Sequence, residues 1–239
     1  MKHTWKKLAA GALTAAMALG LSACDLGGGG VSSMDASIYV RGLINLTFLG
    51  QFDEDYLKLV DSDEAESQEI YDGNLDVDAD NFAYYYAIDT VSDDLREQIR
   101  QLYKDMYAKS KFEVKDAVKA DSTTYSVEVV IEPLDIYQRV DSVLEDTMTA
   151  FSEQYFIEHP EVLESSGEPG DPAYDAYDAA YAQTIVDLFR EKLPEADYFD
   201  AQSVVVQLKL NEDTDTWEMP DNQFQALDEY FNYLNYPTA

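Results

Sequence analysis

Apolar positions recur along this chain with two different periods, and the switches between them outline its elements. Residues 35–49 carry Ile38, Leu43, Ile44 and Leu46 near one side of a helix, and Gly42 on that helix leaves room for a second element to approach closely. Gly50 ends this helix. Further helices are expected at about 53–60 and 63–88, the latter broken near Gly73. Ser92 offers an N-cap with Asp93 and Asp94 behind it, where the helix dipole favours negative charge. Leu95, Ile99, Leu102 and Met106 then form one buried stripe ending near Ser110.

From Lys111 the period becomes two. Phe112, Val114 and Val118 alternate with Lys111, Glu113, Lys115 and Lys119; Tyr125, Val127, Val129 and Ile131 alternate with Ser126, Glu128, Val130 and Glu132. This is the pattern of a half-buried β-hairpin. Pro133 stops it, and Asp135 is placed to cap a helix running through Val140, Val143, Leu144, Phe151 and Tyr155 to about His159. Residues 160–172 are rich in Pro and Gly and form the best internal boundary. A helix over about 173–193 sets Tyr174, Tyr177, Tyr181, Ile185 and Leu188 on one side. Val204, Val206, Leu208 and Leu210 open a second hairpin, closed by Thr216–Met219; Pro220 stops it, and Asp221 caps a last helix with Phe224, Leu227, Phe231 and Leu234.

Helix, hairpin, stop-proline, Asp and helix thus occur twice. Each hairpin is amphipathic and too small to stand alone. The expected fold is α+β: one antiparallel sheet built from the two hairpins, helices packed on one face, and a helix-rich N-terminal part. Two smaller domains divided near 160–172 are the other arrangement the pattern permits.

The N-terminus reads differently. Lys2, Lys6 and Lys7 precede a short apolar run, Leu8–Gly20, which suits a signal peptide better than a bilayer span. It ends in Leu21-Ser22-Ala23-Cys24, which resembles the lipobox of bacterial lipoproteins. That resemblance implies cleavage between Ala23 and Cys24, diacylglyceryl attachment to the Cys24 sulfur, and residence at the outer face of the cytoplasmic membrane. Two acyl chains satisfy the two-signal requirement for stable attachment. Residues 24–34, with four consecutive glycines, read as a flexible tether, and the folded domain as 35–239. Cys24 is the single cysteine of the chain, so no disulfide is expected.

The leader holds three of the 16 bases and none of the 48 acids, so residues 24–239 carry 13 bases against 48 acids, a formal balance of −35. Nucleic acid and bare anionic lipid are poor general partners for such a chain, while 46% hydrophobic and 13% aromatic content supports a packed core. Residues 53–80 hold twelve acids and one base, whereas residues 96–119 hold seven bases. The two runs can face each other within the fold. Alternatively Lys111, Lys115 and Lys119 form a docking patch for an anionic polymer or partner.

The opening "YVRGLINLTFLGQFDEDYLKL", the lipobox, the tether and a closing strand-Trp217-x-x-Pro220-helix are similar to a group of uncharacterised lipoproteins of Gram-positive bacteria. That likeness implies an extracellular α+β domain of cystatin-like or NTF2-like type and transfers no catalytic residues.

The sequence offers little catalytic material. His159 is the one histidine beyond the leader, and no GxSxG, SxxK, HExxH or phosphate-binding loop occurs. No catalytic residue, cofactor or metal ligand is therefore assigned. The stretch 72–80 places oxygen ligands at alternate positions like a calcium loop, but Val77 stands where the loop needs glycine and Ala83 where it needs an acid. Tyr174, Tyr177 and Tyr181, and Tyr84–Tyr86, are candidates to face a peptide or glycan ligand. The expected function is a non-catalytic binding or interaction module at the cell envelope, with an envelope protein, peptide or glycan as partner. A carboxylate-dependent glycan hydrolase and a transporter's solute-binding protein are the alternatives.

Overall fold

A computed structural model describes residues 21–22, 31–213 and 216–231. The leader's apolar run, Ala23, Cys24 and the glycine tether lie outside the described residues. The fold begins at Val31, four residues earlier than the pattern suggested. Val31 is buried, and its carbonyl accepts a hydrogen bond from the Tyr125 hydroxyl at 2.6 Å. Ser32 then caps α1 (Ser33–Ile44) in a reciprocal capping box with Asp35. Ser32, Ser33 and Met34, read as the end of the tether, thus cap and open a helix.

A π-helical turn, Asn45–Leu49, follows α1 and ends at Gly50, whose φ of 60° is left-handed and whose missing Cβ leaves room for the Tyr71 ring. Gly42 has the role its position suggested: the short helix α2 (Glu54–Leu59) lays Tyr56 directly over it. Helix α3 (Glu64–Tyr85) runs unbroken through Gly73, contrary to the expected break. Twenty-two residues of tertiary packing outweigh one glycine's helix cost of about 1 kcal/mol. Helix α4 (Asp93–Tyr107) starts as expected, with the Ser92 side chain accepting from the Leu95 amide.

The sheet joins both hairpins. Strand β4 (Thr124–Glu132) pairs antiparallel with β5 (Gln202–Asn211), from Thr124 opposite Lys209 to Ile131 opposite Gln202. Strands β2 (Lys111–Val114) and β3 (Val118–Lys119) share the far edge of β4, while β6 (Thr216–Glu218) pairs with β5 and the two-residue strand β1 (Leu21–Ser22) pairs with β6. Tyr125, Val127, Val129 and Ile131, with Val204, Val206, Leu208 and Trp217, face the helices and are buried. β6 ends before Pro220, so the Gln207 amide has no strand partner there. It bonds the side-chain carbonyl of Gln223 on α7 (Asp221–Phe231) instead.

One register change escapes the alternation. Lys111 opposes Glu132 and Val114 opposes Val129, but Val118 opposes Ser126, so the strand gains one residue between β2 and β3. A one-residue slip exchanges the two faces of a strand. Val118 consequently joins the solvent face and is 67% exposed, while Lys119 turns over the Tyr125 ring. The bulge is pinned by Ser37 of α1, whose hydroxyl accepts from the Ala117 amide at 2.8 Å.

Helices α5 (Ile136–Glu158) and α6 (Pro172–Lys192) form an antiparallel pair, and the segment 160–171, including a 3₁₀ turn at Pro160–Glu164, turns the chain between them. Asp135 stands at the N-cap of α5 without capping it. Its carboxylate holds Arg139 Nε at 2.6 Å and the Asp197 amide at 2.8 Å. Asp221 lies inside the first turn of α7 rather than at its cap. Buried side chains from α1 through α7 and the sheet form one continuous core. In it, Phe48 stacks on Phe231 at 4.3 Å, and Phe189 meets Phe82, Tyr86 and Tyr137 edge-on.

Candidate functional site

The acidic and basic runs meet. Asp72, Asp76 and Asp80 recur every four residues along α3, so they share one face. Arg96 and Arg100 of α4 lie against it: Arg100 bonds Asp72 at 2.6 Å and Asp76 at 3.1 Å, and Arg96 bonds Asp80 at 2.8 Å. The stretch compared with a calcium loop is therefore helix, with Asp72, Asp76 and Asp80 spread along an arginine ladder. Among the described residues, no three His, Cys, Asp or Glu side chains gather as a metal site.

Asp78 belongs to the opposite face of α3. It is buried and accepts the Tyr107 hydroxyl at 2.9 Å. Next to this pair, the hydroxyls of Tyr103 and Tyr137 are 3.0 Å apart. Burial, reinforced by the Asp78 charge, pushes Tyr103 and Tyr107 far above the ordinary phenol range, and burial does the same to Tyr137. Asp228 of α7, also buried, adds to the negative field at Tyr103 and Tyr107. Sequence reading missed this cluster because Asp78 sits within a run of acids that reads as solvated. Its signal was position: Tyr71, Leu75, Asp78 and Phe82 fall on one helical stripe.

The three lysines of the expected docking patch do not share a face. Lys111 stands on the solvent side of the sheet opposite Glu132, with Nζ 3.5 Å from the centre of the Tyr198 ring. Lys115 lies in the bulge and pairs with Glu113 at 2.5 Å, and Lys119 is on the helix side over Tyr125. Around Lys111 the solvent face dips into a shallow groove of about 300 Å³, lined by Ser110, Lys111, Phe112, Glu113, Val130 and Glu132.

The tyrosine stripe of α6 is brought together, with each hydroxyl engaged inside the protein. Tyr174 donates to Asp89, Tyr177 shares a hydrogen bond with Ser152 of α5 at 3.0 Å, and Tyr181 donates to the Tyr86 carbonyl at 3.1 Å. Bonding to the Asp89 carboxylate is the main reason Tyr174 is pushed up to about 12. Behind the stripe, buried Asp178 accepts the amides of Asp89 and Thr90 and so fixes the loop between α3 and α4. The rings of Phe151, Tyr155 and Phe156 on α5 pack against Tyr177 at 5.3–5.8 Å. Tyr155 also stacks near His159, whose Nδ1 lies 3.2 Å from Glu161. Of Tyr84–Tyr86, Tyr84 is exposed while Tyr86 belongs to the core.

This aromatic seam lies in an extension of the fold. The last buried residue of α5 is Val140 and the first of α6 is Asp178. From 141 to 177 no side chain is buried. Val143, Leu144 and Met148 of α5 and Tyr181 of α6 still pack against the core; past them, residues 149–158 of α5 are roughly 15 Å of helix at 1.5 Å per residue. The end of α5 beyond Met148 and the start of α6 therefore form an arm that extends past the core.

No protein-family model matches the sequence, and no curated protein matches it. The fold is similar to the solved structure of YcdA, a candidate lipoprotein of Bacillus subtilis subsp. subtilis strain 168. The TM-score is 0.54 at 15% identity, over 82% of this chain. The match spans 56% of that protein's chain. Among the described residues, no helix is long and apolar enough to cross a membrane.

Proposed function

We propose that this protein is a lipid-anchored, extracytoplasmic lipoprotein whose domain binds a partner at the outer face of the cytoplasmic membrane. The observation that carries the anchor is Leu21-Ser22-Ala23-Cys24 directly after an apolar run, with only residues 24–30 between the lipidated sulfur and buried Val31. Those seven residues span at most roughly 25 Å, so the domain works close to the bilayer. The likeness in fold to a candidate lipoprotein agrees with this reading, as does the sequence resemblance to Gram-positive lipoproteins with a cystatin-like or NTF2-like domain.

Binding is favoured over turnover because the polar groups that come together in the interior serve the fold. Tyr103, Tyr107 and Tyr137 are wholly buried around Asp78, and the stripe tyrosines are bonded internally. The arm, by contrast, offers unburied aromatic surface. Cleavage before Cys24 also removes β1 and leaves β6 as a sheet edge.

Expression of the full chain and of Cys24→Ala in a Gram-positive host tests the anchor. The parent should fractionate with membranes and the variant should leave them while staying folded. Retention of Cys24→Ala on salt-washed membranes would sink the lipid-anchor reading.

A further inference from the structure

The tip of the α5–α6 arm combines exposed apolar side chains with unneutralised negative charge. Ile157, in the last turn of α5, is 81% exposed, and Leu163, in the following 3₁₀ turn, is 68% exposed. They flank the half-buried Tyr155, Phe156 and His159. Between 141 and 177 the chain carries ten acids and no lysine or arginine. On α3, by contrast, Arg96 and Arg100 answer Asp72, Asp76 and Asp80. Within this segment the one basic ring is His159, whose Nδ1 lies 3.2 Å from Glu161. Glu153, Glu158, Glu164 and Glu168 are exposed.

We infer that the arm tip is a docking surface for a basic amphipathic polypeptide, with Ile157 and Leu163 as its apolar anchors. Three occupants can cover an exposed aliphatic tip. A second copy of the chain would bring ten further acids against the first ten, and like charges in apposition disfavour that contact. An anionic lipid surface is repelled for the same reason. A helix or extended segment with Lys or Arg beside apolar residues meets both features at once: its aliphatic side chains cover Ile157 and Leu163, and its cations answer the surrounding carboxylates. The arm's length suits this use, since it carries the tip clear of the core. The inference rests on the binding-module reading and supplies the chemical class of the partner.

The test uses the full chain in detergent and a labelled 18-residue Leu/Lys amphipathic peptide, with a Leu/Glu peptide of the same pattern as the control. Fluorescence anisotropy should show saturable binding of the Leu/Lys peptide that weakens with added salt, and no binding of the Leu/Glu peptide. Ile157→Ser with Leu163→Ser, both exposed and so compatible with folding, should weaken binding roughly tenfold or more. Glu158→Gln, Glu161→Gln and Glu164→Gln together should weaken it and flatten its salt dependence. Neutralising Glu64, Glu66 and Glu69, exposed acids at the start of α3, should leave it unchanged. Equal losses from tip and α3 neutralisation would mean general polyanion attraction and overturn the docking site. Unaltered binding by the Ile157/Leu163 variant, self-association through the tip, or no binding by the parent would overturn it too. Fractionation of Cys24→Ala reads the anchor separately, so a failure here is distinguishable from a failure there.

Discussion

Alanine at Gly42 and alanine at Gly73 are the same chemical change inside two helices, and the structure assigns them opposite signs. A Cβ at Gly42 would stand 2.2 Å from Tyr56 Cγ, 2.3 Å from Cδ2 and 2.4 Å from Cβ, where ordinary contact begins at 3.4 Å. The obstacle is the root of a fully buried side chain, which no rotamer change moves away. Helices α1 and α2 must therefore separate by about 1 Å, or the Tyr56 ring must leave its place. Overpacking of this kind costs typically 1–3 kcal/mol and occasionally more, against which alanine returns about 1 kcal/mol of helix propensity. Because all three contacts lie far inside van der Waals range, the upper end of that cost applies, and the net loss is about 2 kcal/mol. At Gly73 a Cβ meets nothing within 4 Å, so only the propensity gain of about 0.5–1 kcal/mol remains. For a domain of this size a change of 1 kcal/mol moves Tm by about 2–4 °C. Gly42→Ala should lower Tm by about 4–8 °C and Gly73→Ala should raise it by about 1–4 °C, read by thermal unfolding in near-ultraviolet circular dichroism. A Gly42→Ala protein as stable as its parent would refute the close α1–α2 approach. A destabilised Gly73→Ala protein would refute the solvent-facing placement of Gly73 on an unbroken α3.

Three further outcomes follow from the buried and paired groups. Asp78→Ala strands the Tyr107 hydroxyl in the core and opens a small void, so urea unfolding should show a loss of about 2–4 kcal/mol; a loss below 1 kcal/mol would contradict the burial of Asp78. Arg100→Gln leaves Asp72 and Asp76 without their closest cation and should destabilise by about 1–2 kcal/mol, less so in high salt; a neutral result would mean that the ladder contributes nothing. Tyr39, Tyr56, Tyr86, Tyr103, Tyr107 and Tyr137 are all held protonated, chiefly by burial. The unfolded chain releases these protons near pH 10, the ordinary phenol value, so above that pH it binds fewer protons than the folded protein, and stability falls as pH rises. Absorbance at 295 nm should show these phenols ionising together with alkaline unfolding, whereas independent reversible titration of every tyrosine near pH 10 with the fold intact would be incompatible with their burial.

Much of this architecture was written in the periodicity. The alternation over Tyr125–Ile131 and Val204–Leu208 identified the two strands that became the centre of the sheet, and the Leu95–Met106 spacing identified α4. Two kinds of feature were not legible. The bulge at 115–117 depends on a tertiary contact, Ser37 to the Ala117 amide, so the alternation carried Val118 onto the wrong face. The Pro- and Gly-rich segment at 160–171 reads as a boundary because turn chemistry is the same whether a loop parts two units or closes a helical pair. Charge was half legible. Complementarity of the runs at 53–80 and 96–119 could be read directly, but which lysines lie outside it depends on strand register. The tyrosine stripe of α6 was legible as a stripe, while the partners of its hydroxyls, Asp89, Ser152 and the Tyr86 carbonyl, come from elements distant in sequence.

The central claim is that the sulfur of Cys24 holds the domain at the membrane, and intact mass spectrometry of membrane-extracted protein tests it most directly. The account predicts a chain beginning at Cys24 and heavier by a diacylglyceryl group, with residues 1–23 absent. A chain still carrying Met1–Ala23, or one beginning at Cys24 with an unmodified thiol, would contradict it.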